Sequence, residues 1–286
     1  MKAKRIIIIV SAVIVASVAV SLLTGIINLR EQKVDDASSV KIYTENVLGL
    51  DMDMVWVEGG EYMMGATPEQ EAQADKDEKP VHQVYVESFY LGKHEVTQRQ
   101  WETVMGTTIK DQWILSRCDV GIYGGEGPNN PIFYVSWNEA TDFCKKLSDL
   151  TGKKYVLPSE EQWEYAARGG NRATGTKYSG INKLSEVGGS KGMNRGTRPV
   201  GTTKRPNSLG IYDMSGNVVE WCSNEYTVDY VSGPSTDPEI TKYGTFRVAR
   251  GGGWDLDDFY CRVSARIGYV EGNRTFCLGF RVACLE

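Results

Sequence analysis

The chain has 286 residues, 41% hydrophobic and 24% charged, with a formal net charge of -5. That mild acidity excludes nucleic acid as the expected partner, because neutralising phosphates takes a basic face. Roughly 230 residues beyond the apolar N-terminus suffice to bury a core without help from disulfides.

Lys2, Lys4 and Arg5 precede a run that carries no charge from residue 6 to residue 29. As a helix it is long enough to cross ~30 Å of hydrocarbon. The positive residues belong on the cytoplasmic side, so residues 1–29 read as a cytoplasmic stub and signal-anchor helix with the remainder outside the cytoplasm, in a periplasm or at the cell surface. A cleaved signal peptide is the alternative, and the protein would then be secreted. Residues 30–50 are polar and mixed and read as a linker. Residues 51–286 read as one domain, without repeats or low-complexity breaks.

Alternation in "HQVYVESFYLG" predicts strand. Three helix starts follow, each a Ser or Thr placed three residues before a Gln or Glu: Thr97 with Gln100, Ser136 with Glu139, and Ser159 with Gln162. Glycines at 106, 152 and 169 stand where left-handed caps would end these helices. In the second helix Ala140, Phe143, Cys144, Leu147 and Leu150 share one face. After Gly170 the chain is punctuated by Gly, Asn, Ser and Pro and no helical period returns. Few helices and much irregular chain predict an α+β domain rich in ordered loops.

Six cysteines (118, 144, 222, 261, 277 and 284) contain no CxxC pair, which excludes a zinc ribbon or a thioredoxin motif. Export permits some to pair, and spacing does not give the connectivity. Only two histidines, His82 and His94, are present, too few for a three-histidine iron site. Asp213, Asn217 and Glu220 fall within eight residues around Gly216, and three oxygen-bearing side chains on a short turning loop suit calcium. Carbonyls of Gly216 and Val218 would complete one such site. Hydrogen bonding of the loop to itself is the alternative.

Six phrases in order, "MVWVEGGEYMMG", "VYVESFYLGKHEVTQRQW", "NNPIFYVSWNEATDFCKKL", "YVLPSEEQWEYAARGG", "LGIYDMSGNVVEW" and "RGGGW…CRVSAR…LGFRVA", resemble the formylglycine-generating enzyme family, or sulfatase-modifying-factor domain. The resemblance spans about residues 54–283 and implies a variant of the C-type-lectin-like fold. Family oxidases turn a sulfatase cysteine into formylglycine with oxygen and with copper held by two cysteines, the pair of soft ligands that Cu(I) requires. Cys261 matches the later cysteine, but Leu256 stands at the earlier one and Gly253 at the adjacent serine, so copper is not expected. The family also implies a structural calcium at the 213–220 loop and a disulfide from its helix cysteine to one near the chain's end. Cys144 matches the first. The second falls at Val282, and Cys284, two residues on along a strand, takes its place in the pairing Cys144–Cys284.

The frame of the terminal segment is Arg250, Gly251, Gly252, Trp254, Arg262, Arg266, Gly279, Phe280 and Arg281, whose guanidinium groups should make internal forked hydrogen bonds. Between these residues lie Trp254, Asp255, Leu256, Asp257, Asp258, Phe259 and Tyr260, then Tyr269, Thr275 and Phe276. Such a mixture fits an exposed, aromatic recognition face. Variable proteins of diversity-generating retroelements, which share the fold, are similar in layout. The resulting expectation is a membrane-anchored binding or accessory module for a protein or glycan ligand. The alternative is a divergent oxidase with Cys261 as its catalytic residue.

Overall fold

Four of the five α-helices among the described residues begin with the same reciprocal pair of hydrogen bonds. In the computed structural model, which describes residues 40–72, 74–118, 125–186, 196–203, 205–230 and 244–286, the helices are α1 (Pro68–Glu71), α2 (Gln98–Met105), α3 (Ile109–Ser116), α4 (Trp137–Thr151) and α5 (Glu160–Arg168). Thr97, Ser136 and Ser159 cap α2, α4 and α5 with Gln100, Glu139 and Gln162, and Gly106, Gly152 and Gly169 close them in left-handed conformation. A fourth box, Thr108 with Asp111, starts α3. Each such cap contributes about 1 kcal/mol. On α4 the predicted face is buried at Ala140, Phe143, Cys144 and Leu147, but Leu150 is 50% exposed.

The eleven strands among the described residues are β1 (Ile42–Val47), β2 (Leu50–Val57), β3 (Gly60–Met64), β4 (His82–Val86), β5 (Phe89–Gly92), β6 (Lys154–Val156), β7 (Val219–Glu225), β8 (Phe246–Arg250), β9 (Arg266–Val270), β10 (Leu278–Gly279) and β11 (Ala283–Leu285). A five-stranded antiparallel sheet has the order β1-β2-β5-β11-β6, so the chain's last strand pairs between two much earlier ones. A four-stranded sheet, β10-β7-β8-β9, is antiparallel except for β10 beside β7, and β3 pairs with β4. The linker expected over residues 30–50 is corrected here. Ile42–Val47 form β1, paired with β2 from Ile42↔Val55 to Val47↔Leu50, and they read as linker because an edge strand with alternating exposure keeps its polar residues. The expected membrane span lies outside the described residues. No helix among those described is long and apolar enough to cross a membrane.

The central strands of the five-stranded sheet bury side chains on both faces, successive residues pointing opposite ways. Met54, Tyr155 and Cys284 join Phe143, Cys144 and Leu147 of α4 in one apolar cluster, where Trp101, Phe143 and Phe280 pack with ring centroids 5.3–6.2 Å apart. Val55, Leu91 and Ala283 face the other way, onto Trp163, Tyr165, Ala166 and Ala167 of α5. Each large side chain so buried contributes roughly 1.5–3 kcal/mol.

The framing arginines are fully or nearly buried and forked, as expected. Arg262 grips Glu78 at 2.6 and 2.8 Å, Arg266 grips Glu160 at 2.6 and 2.9 Å, and Arg281 grips Glu220 at 2.6 and 2.7 Å. Arg250 pairs with Glu164 and donates to the Ser264 carbonyl at 2.7 Å. Buried pairs of this kind stabilise little over an apolar substitute, but losing one partner strands a charge.

All six cysteines are free, so the pairing Cys144–Cys284 is not formed. Cys144 lies on the buried face of α4, whereas the Cys284 thiol sits against the Tyr43 hydroxyl, its neighbour on the sheet face.

Candidate functional site

The terminal segment folds back on itself at residues 251–253. Gly216 N donates to Gly251 O at 2.8 Å and Trp254 N to Asn217 O at 2.9 Å, which stitches this turn to the 213–220 loop. A 3-10 turn, Asp258–Cys261, then returns the chain toward β9.

Cys261 ends that turn inside the protein, fully buried beside Tyr178, Ile181 and Leu184. Burial pushes its thiol well above the ordinary range, and Asp258, Asp255 and Asp257 push it the same way. Those are the wrong surroundings for a reactive thiolate, which needs positive neighbours and access. Leu256, at the position of the family's other cysteine, is partly buried against the large core cluster.

The expected recognition residues divide into two groups. Trp254 is a correction. It is only 7% exposed, its indole N–H donates to Phe276 O at 3.2 Å, and its ring packs 5.7 Å from Phe276. It supports the face from beneath, since an aromatic that follows a run of glycines fits a core as readily as a surface. Asp255, Leu256, Tyr269, Thr275 and Phe276 are half-buried around Cys277, whose thiol lies 3.5 Å from the Thr275 hydroxyl. Tyr269 packs edge-on against Trp221 at 6.0 Å, and burial raises its phenol, with the Cys277 thiol adding to the rise. Asp257, Asp258 and Tyr260 are exposed, and Phe259 sets its ring across that of Tyr260 at 5.1 Å. On the other side of Phe259 the Arg262 guanidinium stacks at 4.3 Å, so one ring is clamped and the next one is presented.

The loop expected to bind calcium turns sharply, with Asp213 and Asn217 both at left-handed φ, 60° and 64°. Its side chains do not converge as expected. Glu220 is wholly buried, both its oxygens accept from Arg281, and one also accepts from the Trp163 indole at 2.7 Å. Asn217 Oδ1 accepts from Arg198 N at 2.9 Å, and Asp213 Oδ2 from Gly201 N at 2.7 Å. Glu220 and the Asn217 side chain are thus engaged by Arg281, Trp163 and the Arg198 amide.

Beside this loop stands Glu95, which nothing in the sequence singled out. It is 1% exposed, receives the Asn217 amide at 3.2 Å on Oε2, and has no hydrogen-bond partner on Oε1. Burial raises its carboxyl well above the usual range, followed by repulsion from Asp213 and Glu220. Three buried carboxyl groups thus surround one guanidinium. Among the described residues no three His, Cys, Asp or Glu side chains form a ready-made metal site. A hard cation would rest on Glu95, Asp213 and the carbonyls of Gly216 and Val218, and the orphaned Oε1 fits such a charge.

Among the described residues neither histidine joins a group of metal-ligating side chains. His82 packs at a tilt against Tyr230 at 4.6 Å, and His94 packs at a tilt against Tyr212 at 5.3 Å, held neutral by burial, which pushes it down to about 4.

Curled antiparallel sheets, few helices, a glycine-framed terminal loop and buried arginine forks together define the sulfatase-modifying-factor class. Residues 35–285 match the Sulfatase-modifying factor enzyme 1-like domain, and the chain belongs to that family. It is similar to chaperone protein LppX of Paenibacillus barcinonensis, with 32% identity over 253 residues, covering 71% of this chain and 78% of that protein. It is also similar to the formylglycine-generating enzyme of Streptomyces coelicolor, with 29% identity over 282 residues, covering 79% of this chain and 87% of the enzyme. Among solved structures, Treponema denticola variable protein 1 superposes with a TM-score of 0.68 at 27% identity, over 85% of this chain and 98% of that one.

Proposed function

We propose that this protein is a binding or accessory module on the sulfatase-modifying-factor scaffold, displayed outside the cytoplasm by its N-terminal anchor. Its ligand face is the exposed turn at residues 257–260 with the adjoining edges of Tyr269, Thr275 and Phe276. The observation that carries this reading is Cys261: a single thiol, fully buried, beside a leucine in place of the second thiol and among aspartates that oppose its ionisation. Copper(I) needs two accessible soft ligands, and this loop supplies none. The names of two similar proteins, a chaperone and a variable protein, lean toward a binding role.

The test has two arms. The full-length protein, given copper, oxygen and a sulfatase-type cysteine peptide, is expected to yield no aldehyde product by mass spectrometry. Turnover that disappears in Cys261→Ser would overturn the reading in favour of an oxidase. In the second arm a benzoylphenylalanine photo-crosslinker replaces Tyr260 in the source cell, with the same group at Leu150 on α4 as control. A protein or glycan adduct specific to position 260 is expected, and its absence counts against this face.

We also propose one structural calcium ion, held by Glu95, Asp213 and the carbonyls of Gly216 and Val218. When bound it supplies a fixed positive charge to a buried acidic cluster, and through the Asn217 and Gly216 hydrogen bonds it stiffens the turn that carries the ligand face. Because a ligand of the folded state stabilises by mass action, adding a calcium chelator should lower the melting temperature by several degrees. Asp213→Ala should abolish that difference. Equal melting temperatures for the parent with and without chelator would refute the ion.

A further inference from the structure

We infer that the cleft between the end of α3 and the turn after β9 takes a carboxylate-bearing segment of a partner protein, in a proposal that rests on the binding-module reading and specifies its chemistry. The cleft has a volume of about 500 Å³ and is lined by Leu115, Ser116, Arg117, Asn273, Arg274 and Thr275, with Gly272 at its edge. Thr275 belongs to the recognition face, so the cleft continues that face. Among the described residues nothing acidic lines it, although the chain as a whole has 37 acidic residues against 32 basic ones.

Its two guanidinium groups differ in kind. Arg274 is set in place. Its Nε donates to Glu139 Oε2 at 3.0 Å and its Nη1 to Gly272 O at 3.3 Å, while Nη2 makes no hydrogen bond among the described residues. Glu139 is itself fixed by the backbone and hydroxyl of Ser136, both at 2.8 Å. The turn beneath is pinned as well, by Trp137 N to Glu271 O at 2.9 Å and Tyr134 N to Thr275 O at 3.0 Å. Arg117 follows α3 in left-handed conformation, at φ 55°, is exposed, and has no ion pair or side-chain hydrogen bond among the described residues. One arginine held rigid by a carboxylate and a second carrying uncompensated charge form a clamp that is largely assembled before binding. Guanidinium forks match the planar geometry of a carboxylate.

The surroundings favour a peptide over a sugar. Ile114 and Leu115 are 65% and 52% exposed beside the cleft, an apolar rim for a neighbouring side chain. Among the described residues no aromatic ring lines the cleft to stack on a sugar face. The expected ligand is an acidic segment with an apolar residue next to its carboxylate.

The experiment is fluorescence anisotropy on the full-length protein with a fluorescein-labelled peptide of alternating Glu and Leu. A Lys and Leu peptide and a sulfated hexasaccharide are the comparison probes. The acidic peptide should bind, Arg117→Glu should weaken it at least tenfold with an unchanged melting temperature, and Arg274→Gln should weaken it several-fold. No binding to the parent protein, or binding indifferent to Arg117→Glu, overturns the proposal. Tighter, Arg117-dependent binding of the sulfated saccharide overturns it in favour of a glycan. Adducts at position 260 without acidic-peptide binding would leave the module reading standing and sink this one. Arg117-dependent peptide binding without such adducts would do the reverse.

Discussion

Replacing Arg281 by Met should cost about 3–5 kcal/mol of folding free energy, the cost typical of stranding one partner of a buried ion pair. Arg281 has no exposure and makes four hydrogen bonds to three partners: two with the Glu220 oxygens, one with Gly92 O and one with Tyr212 O, the last two both at 2.9 Å. It is also the cation nearest to Glu95 and Asp213 in effect, since both carboxylates act on its charge. Methionine fills much of the volume but leaves the fully buried Glu220 without its guanidinium partner, next to two carboxyls already held above their ordinary range. With typical domains stable by only ~5–15 kcal/mol, that loss is a large share of the whole. Urea denaturation should show a lower midpoint with the slope retained. Adding Glu220→Gln should recover part of the loss, because the neutral amide oxygen still accepts from the Trp163 indole. A loss below about 1 kcal/mol in the single variant, well short of the range for a broken buried pair, would mean that Glu220 finds another partner.

This network also marks the limit of what the sequence reveals. The capping boxes of α2, α4 and α5 were legible because their partners lie three residues apart, and the glycines that end those helices lie in the same window. The box of α3 was passed over because Asp111 takes the place of Glu or Gln. The forks of Arg250, Arg262, Arg266 and Arg281 were legible as a residue type in a glycine-rich frame. Their partners were not, since Glu78 lies 184 residues from Arg262 and Glu160 lies 106 from Arg266. Glu95 reads as one acidic residue before the α2 cap, and only the fold carries it to Asn217, 122 residues away. The recognition face was half legible. Asp257, Asp258 and Tyr260 are exposed as their polarity allows, while Trp254 went inside because an aromatic side chain alone does not say which way the chain turns. Family membership rested on six ordered phrases, and a pattern that extended survives any single misread residue.

Gly252→Ala should destabilise the domain by about 2–5 kcal/mol, combining overpacking of ~1–3 with left-handed strain of ~1–2. Gly252 has φ 67°, and a methyl group there would meet Cys261 Sγ at 2.6 Å, Cys261 N at 2.8 Å and the Tyr260 carbonyl carbon at 2.8 Å. Two of those atoms are backbone and cannot rotate away, so the 3-10 turn carrying Phe259 and Tyr260 would have to lift off the glycine. The close approach is what seats the ligand face. Gly106→Ala is the control, because Gly106 also has a positive φ, 76°, but nothing within 4 Å of the added carbon. It should cost only the conformational strain, about 1–2 kcal/mol. Cys261→Ala should not rescue Gly252→Ala, since it removes the sulfur and leaves both backbone contacts. Thermal or urea unfolding of the three variants and the double variant gives the comparison. Equal losses for Gly252→Ala and Gly106→Ala would show that the turn does not rest on Gly252, and the geometry of the proposed face would fall with it.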